Sequence, residues 1–97
     1  MIASFGDRAT EELFHGRSTR RVQRFPVDIV QIALRKLDMI NGVDDANDLR
    51  VPPGNRLKKL KGEFRGFYSL RINAQWRIIF RWESGKAYAV QVTDYHR

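Results

Sequence analysis

The chain has 97 residues, of which 42% are hydrophobic and 30% are charged, and its formal net charge at neutral pH is +7. This composition is typical of a globular protein and excludes a disordered chain. Disulfides and cysteine-ligated zinc are excluded because there is no cysteine, and no apolar run is long enough to span a bilayer. We therefore expect one domain over residues 1–97, soluble and intracellular, with no membrane partner.

The first half predicts a strand followed by two helices. Residues 2–5 form a short apolar stretch that predicts the strand. Residues 7–15 predict a helix with Asp7 as its N-cap. From residue 26 to residue 40 the apolar side chains recur at spacings of three and four, so a second helix with one buried face is expected. The basic stretch 17–24 is expected to be a loop or the first turn of that helix, which makes the two helices a hairpin.

Beyond Pro53 the apolar residues change from helical spacing to alternation, which predicts antiparallel strands. The expected strands are residues 57–61, 67–72, 76–82 and 87–92. In the last of them we expect Tyr88 to share the buried face with Val90 and Val92. The predicted fold is therefore α+β, with the N-terminal strand and the helical hairpin packed on an antiparallel sheet.

The net charge lies entirely in the second half, among aromatic residues. Residues 51–97 contain ten lysines and arginines against three acids, whereas residues 1–50 contain eight of each. Eight of the eleven aromatic residues also lie in the basic half. Cations that reach phosphates, beside rings that stack on bases, are the composition of a surface for single-stranded nucleic acid. We therefore expect the function to lie in this half.

Three arginines are predicted on the solvent side of the sheet. Arg77 and Arg81 alternate with the apolar residues of one strand, and Arg71 joins them from the previous strand. For Arg71 and Arg81 an ordinary solvated strand face remains an alternative to RNA binding. Arg77 lies in mid-strand between large apolar residues, where a rigid guanidinium fork suits bidentate binding of phosphate oxygens. Its alternative is a structural ion pair with Glu63 or Asp94.

Lysines form a second basic group just before the strand that contains Arg71. Lys58, Lys59 and Lys61 are followed by Arg65, and we interpret all four as candidate RNA-binding residues. In a strand Lys59 and Lys61 project to one side and Lys58 to the other. The alternative is a charged edge strand that discourages aggregation.

The chain ends in residues that can move protons. Tyr95 and His96 follow Asp94, a carboxylate that can orient or neutralise them. Beside the arginines, such a group would complete a phosphodiester-cleaving site without metal, because the RNA 2′-hydroxyl itself attacks the phosphorus. The alternative is a frayed terminus. With only three scattered acids and no pair of histidines in this half, we expect neither a metal nor a cofactor.

These residues carry a resemblance to a known family. Leu57-Lys-Lys-Leu-Lys-Gly, Gly66-Phe-Tyr-Ser-Leu, Trp76-Arg-Ile-Ile-Phe and Asp94-Tyr-His resemble motifs of the HigB-type killer toxins, in the RelE/ParE superfamily of toxin-antitoxin modules. The resemblance covers nearly the whole chain. It implies a microbial RNase-like (RelE-type) fold and a bacterial cytoplasmic toxin that cuts mRNA in the ribosomal A site. It also implies a HigA-like helix-turn-helix antitoxin, through which alone the complex would bind DNA.

The resemblance also implies residue roles. Arg77 resembles the family's catalytic arginine, and residues 94–96 resemble its C-terminal catalytic and substrate-orienting group. Lys61 matches the basic residue of the Leu-Lys-Gly motif. Where some members have a histidine, this chain has Lys58, and a protonated lysine is a poor general base.

Proton abstraction is therefore expected from His96 or Tyr95. Part of the superfamily poisons DNA gyrase and lacks this kind of C-terminal group. The sequence thus predicts an mRNA endoribonuclease, with a non-enzymatic gyrase poison or RNA-binding regulator as the alternative.

Overall fold

A computed structural model of the chain describes residues 1–94. Its helices are α1 (Arg8–Phe14), α2 (Arg20–Gln23) and α3 (Val27–Gly42), and its strands are β1 (Lys58–Lys59), β2 (Phe67–Arg71), β3 (Trp76–Glu83) and β4 (Lys86–Asp94). Short 3-10 helices cover Ala46–Arg50, Pro53–Asn55 and Gly62–Phe64. Within residues 1–94, no helix combines the length and the apolar character that a membrane crossing requires.

Both predicted helices are present, and a short additional helix lies between them. The Asp7 carboxylate caps α1 by accepting a hydrogen bond from the Thr10 amide at 2.9 Å. The prediction of a loop or first turn between the helices is wrong, because Thr19 caps a separate helix, α2, through its hydroxyl. The buried residues of α3 are the periodic ones that the sequence indicated: Ile29, Ala33, Leu37 and Ile40.

The four strands form one antiparallel sheet in the order β1-β2-β3-β4. Its inner side packs on the helices and contains the fully buried residues Leu70, Ile78, Phe80 and Val90. The N-terminal stretch extends the sheet at the free edge of β4, where Ile2 and Phe5 form parallel bridges to Ala87 and Val90. The α+β fold and the alternation in β2 and β3 are therefore confirmed.

The prediction for Tyr88 is wrong because β4 contains a bulge. The pairing of β3 with β4 shifts by one residue between Ile79 and Arg81. Ala89 has a left-handed φ of 53° at this place, as an extra residue in a bulge can require. Arg81 consequently faces Tyr88, whose side chain lies on the outer side of the sheet instead of beside Val90.

Candidate functional site

The three sequence-predicted arginines lie on the outer side of the sheet, away from the helices. Arg77 of β3 is paired directly with Arg71 of β2 and with Thr93 of β4. Residues paired directly in an antiparallel sheet project to the same side. Arg81 lies further along the same side of β3, opposite Phe67. The predicted placement of Arg71, Arg77 and Arg81 is therefore confirmed.

A buried hydroxyl holds the Arg77 side chain. Arg77 Nη1 donates a hydrogen bond to Ser69 Oγ at 3.2 Å, and Ser69 is fully buried in the middle of β2. Alternation placed Ser69 on the outer side but did not indicate its burial. Lys58 of β1 is paired directly with Ser69 and shares this side. We call Lys58, Ser69, Arg71 and Arg77 together the Arg77 face.

The Arg71 end of this face is strongly electropositive. Arg71 and Arg77 are like charges at directly paired positions, an arrangement that destabilises a sheet and attracts an anion. Lys36 Nζ donates a hydrogen bond to the Arg71 carbonyl at 2.7 Å and adds a third cation. Burial, then the charges of Arg35 and Arg71, lower the pKa of Lys36. A phosphate group fits the charge of this end of the sheet.

Lys59 and Arg65 are separated from the Arg77 face. Lys59 is paired with Tyr68 on the inner side of the sheet, and its ammonium lies 6.0 Å from the Tyr68 ring centroid. Lys59 and Arg65 line a groove of about 330 Å³ together with Tyr68 and Trp82. Lys61 is exposed next to the 3-10 helix that follows. The predicted basic group is thus divided, and Lys58 alone joins Arg77.

Arg81 makes local contacts at the other end of β3. Its Nη1 forms an ion pair with Glu83 at 2.6 Å, and its guanidinium lies 4.9 Å from the Tyr88 ring centroid. The contact with Tyr88 is available only because the bulge in β4 turns that side chain outward. These contacts favour the alternative of an ordinary surface role for Arg81.

Asp94 ends β4 at the same end of the sheet as Arg77. It is paired directly with Trp76, the neighbour of Arg77 in the chain, and its Oδ2 accepts a hydrogen bond from Gln75 Nε2 at 3.0 Å. The turn before β3 is fixed by Asn73, whose Oδ1 accepts hydrogen bonds from the amides of Gln75 and Trp76. The carboxylate is exposed, at the point where the chain continues into its last three residues.

Two of the predicted catalytic residues, Tyr95 and His96, lie outside the described residues, so their roles stay predictions. In the described part of the chain, no group of three or more His, Asp or Glu side chains is arranged to hold a metal ion.

Sequence reasoning missed a cleft of about 760 Å³ beside Asp94. Four arginines of the first half line it, namely Arg8, Arg20, Arg21 and Arg24, and Phe25 and Trp76 also contribute to its wall. A local signal existed, because the segment 13–27 contains four arginines and no acid. Averaging charge over residues 1–50 concealed it, since acids later in that half cancel the sum.

Solved structures of bacterial proteins share this architecture. A mutant of YafQ from E. coli has a TM-score of 0.61 at 8% identity, over 98% of this chain and 94% of that chain. YoeB in the YoeB-YefM toxin-antitoxin complex of Staphylococcus aureus has a TM-score of 0.60 at 18% identity, over 100% and 99%. At such low identity the likeness establishes the fold, which is that of the YafQ and YoeB class.

Sequence comparison identifies the family within this class. The sequence model described as the RelE-like toxin of type II toxin-antitoxin system HigB matches residues 3–96. Toxin HigB-1 of Vibrio cholerae is 36% identical over 90% of each chain. Endoribonuclease HigB of Proteus vulgaris is 31% identical over 99% of this chain and 100% of that protein. The chain belongs to the HigB family of RelE-like toxins, as its motifs predicted.

Proposed function

We propose that residues 1–97 form one toxin domain, a ribosome-dependent endoribonuclease that cuts mRNA in the ribosomal A site in the bacterial cytoplasm. The observation that carries this proposal is the Arg77 face, at the sheet end where Asp94 leads into Tyr95 and His96. The name of the Proteus vulgaris relative, Endoribonuclease HigB, supports the enzymatic activity.

The proposed reaction needs no metal because RNA supplies its own nucleophile. The 2′-hydroxyl attacks the neighbouring phosphorus while His96 or Tyr95 accepts its proton. The bond between phosphorus and the 5′-oxygen breaks, and that oxygen takes a proton from the other of these two groups or from water. The products are a 2′,3′-cyclic phosphate and a 5′-hydroxyl. Asp94 orients the proton-transferring groups that follow it in the chain.

Arg77 stabilises the additional negative charge that the phosphorus oxygens carry in the transition state. The hydrogen bond to Ser69 and the half-buried position of Arg77 hold the guanidinium in place before the substrate arrives. A group held in this way stabilises the transition state without reorganising during the reaction. Lys58 and Arg71, on the same side of the sheet, bind phosphates on either side of the cut.

Mapping the 5′ ends of transcripts after a short induction tests the proposed function. We expect new ends clustered inside translated reading frames, and none after induction of the Arg77→Ala variant at equal protein level. Unchanged RNA together with arrested replication would overturn the endoribonuclease and support a gyrase poison. Cuts that persist when translation initiation is blocked would contradict the dependence on ribosomes.

We also propose a HigA-like antitoxin with a helix-turn-helix domain, through which the complex binds DNA. Membership in a type II toxin-antitoxin family supports an antitoxin partner, and the S. aureus structure contains YoeB with YefM. Val27, Val51 and Phe64 are large exposed apolar residues that such a partner can cover. Co-expression with the neighbouring helix-turn-helix protein should restore growth and yield a stable complex. Healthy growth with the toxin alone at high level would contradict the toxin proposal.

A further inference from the structure

The cleft beside Asp94 contains an unusual density of positive charge. Its wall includes four guanidinium groups, from Arg8, Arg20, Arg21 and Arg24, against two carboxylates, from Asp7 and Asp94. We call this feature the Arg cleft. Asp7 is already engaged as the N-cap of α1. The remaining charge is therefore positive, in a concave site whose volume of about 760 Å³ is in the usual range of ligand sites.

Acidic side chains neutralise little of this charge. Arg21 forms an ion pair with Glu12 at 3.1 Å, and within residues 1–94 the other three guanidiniums of the cleft form none. Glu12 Oε1 also accepts a hydrogen bond from the Thr19 hydroxyl at 2.8 Å, which ties α1 to the start of α2. The carboxylate of Glu12 thus fixes the geometry of α2 and leaves Arg20 and Arg24 exposed.

Arg20 and Arg24 place like charges on one side of α2. They are four residues apart, at the first residue and the C-cap of a helix of only four residues. Like charges at this spacing repel each other across one helix face. α2 therefore presents two neighbouring exposed cations at the cleft, and a polyanion can neutralise both of them.

The aromatic wall suits a nucleotide. The rings of Phe25 and Trp76 meet edge to face, with their centroids 5.8 Å apart, and both residues are half-buried. Both rings pack partly on the hydrophobic core, and their exposed parts can accept a base or a ribose while guanidiniums bind the phosphates on either side. Four arginines beside two aromatic rings reproduce, at this cleft, the composition that marks the second half as an RNA surface.

The Arg cleft lies at the same end of the sheet as the proposed cleavage site. Trp76, Thr93 and Asp94 line it, and Thr93 is paired directly with Arg77. Trp76 is both the neighbour of Arg77 in the chain and the direct partner of Asp94. Trp76 faces the helices whereas Arg77 faces outward, so an RNA strand bound at both sites passes around this end of the sheet, beside Thr93 and Asp94.

We propose that the Arg cleft binds the single-stranded RNA substrate next to the phosphodiester that is cut, with its phosphates on Arg8, Arg20 and Arg24 and a base or ribose against Phe25 and Trp76. The cleft's affinity for RNA is independent of the proposed chemistry, whereas the identity of the strand as substrate rests on the proposed function. The recognised chemistry is a sugar-phosphate backbone, which mRNA and ribosomal RNA share.

The test compares two variants that each lose two positive charges. Arg20→Gln with Arg24→Gln removes charges from the Arg cleft, and Arg17→Gln with Arg35→Gln removes exposed charges that do not line it. The probe is a short single-stranded RNA with 2′-O-methyl groups, which lacks the attacking hydroxyl and is not cut. Fluorescence anisotropy measures its affinity at several salt concentrations. Thermal unfolding checks that each variant is folded.

We expect the cleft variant to bind the probe at least about tenfold more weakly, with a salt slope that is shallower by about 1.4, or about 0.7 for each lost phosphate contact. The control variant should keep most of its affinity, and the Tm of the cleft variant should be unchanged or higher. Equal behaviour of the two variants would overturn the proposal. The proposal would also be overturned if the cleft variant lost affinity for vacant ribosomes but kept its affinity for the probe, because this result would assign the cleft to ribosomal RNA.

The proposed nuclease can fail separately from the Arg cleft. If the cleft variant binds the probe weakly while Arg77→Ala remains fully toxic, the RNA site stands and the proposed chemistry is wrong. If Arg77→Ala abolishes cleavage while the cleft variant binds the probe and cuts mRNA normally, the chemistry stands and the Arg cleft proposal is wrong.

Discussion

Arg77 donates a hydrogen bond from Nη1 to Ser69 Oγ at 3.2 Å, which joins a half-buried guanidinium to a fully buried hydroxyl on the neighbouring strand. Ser69 is paired with Lys58 on one side and Ile79 on the other, so its position is fixed by the sheet itself. The sheet thereby fixes the guanidinium as well. The position of this cation consequently depends on the pairing of three strands and not on a flexible loop.

Replacing Arg77 should lower the cleavage rate more than the affinity for ribosomes. We expect Arg77→Ala to lower the rate of mRNA cleavage by about 100 to 1,000-fold, the effect of losing one preorganised donor, with a smaller change in ribosome affinity. Arg77→Lys should also fail, because a point charge cannot reproduce the planar fork. Single-turnover cleavage on programmed ribosomes measures the rate, with Arg35→Ala as an exposed arginine control. Equal losses in the two variants would contradict a specific role for Arg77.

Ser69 should act only through Arg77. Ser69→Ala removes one hydrogen bond of about 1 kcal/mol, which corresponds to about a fivefold lower cleavage rate. Adding Ser69→Ala to Arg77→Ala should cause no further loss in rate, because the hydroxyl then has no guanidinium to hold. Ser18→Ala, at an exposed position, is the control. Additive losses in the double variant would show that Ser69 supports the fold or the substrate independently of Arg77.

Lys58 and Lys59 provide a matched pair of adjacent cations on opposite sides of the sheet. Lys58 lies with Ser69 on the Arg77 face, whereas Lys59 lies over the Tyr68 ring on the inner side. We therefore expect Lys58→Ala to reduce cleavage more than Lys59→Ala, although both remove one charge. Cleavage rates at two salt concentrations decide this. A larger loss from Lys59→Ala would move the RNA path to the groove that Lys59 lines with Trp82.

Much of this site could be predicted because strand alternation is a local property. The residues of β3 alternate without interruption. The sequence alone therefore predicted that Arg77 and Arg81 lie on one side of the sheet and Ile78 and Phe80 on the other. The buried face of α3 could be predicted in the same way, from the spacing of its apolar residues. Burial of Ser69 could not be predicted in this way, because it depends on β1 and β3 covering β2 from both edges.

Features that depend on distant parts of the chain were not predictable. The bulge at Ala89 exists in the pairing of β3 with β4, and nothing in the alternation of β4 indicates that Tyr88 turns outward. The basic segment 13–27 indicated a group of arginines, but the Arg cleft itself forms only because α2 lies beside the end of the sheet. Its arginines lie far before Asp94 in the chain, and only folding brings them together.

Lys36 should make stability depend on pH in the alkaline range. Burial, then the charges of Arg35 and Arg71, hold the pKa of Lys36 below its usual 10.5 in the folded chain. The charged form of Lys36 therefore lowers the free energy of unfolding. This loss of stability is complete below the lowered folded-state pKa and disappears as the pH reaches 10.5. The stability of the natural chain relative to Lys36→Met should rise from neutral pH to that value. Urea unfolding midpoints of both chains measure the difference, and a constant or falling difference would contradict the prediction.

The C-terminal residues decide whether the Arg77 face carries out chemistry. If His96 is the acid or base, His96→Ala should lower the cleavage rate by about 100 to 10,000-fold while ribosome binding remains. Tyr95→Phe should have a comparable effect only if the phenol transfers the proton, since the aromatic ring is retained. Cleavage rates and ribosome affinity, measured on the same preparations, separate the two roles.

Deletion of residues 96–97 without loss of cleavage would make the last residues a frayed terminus and leave Tyr95 as the candidate proton-transferring group beside the arginines. Tyr95→Phe would then be the deciding variant. If the deletion, Tyr95→Phe and Arg77→Ala all remain fully toxic, neither proton transfer nor charge stabilisation contributes to toxicity. The toxin would then act by binding, and the endoribonuclease proposal would be wrong.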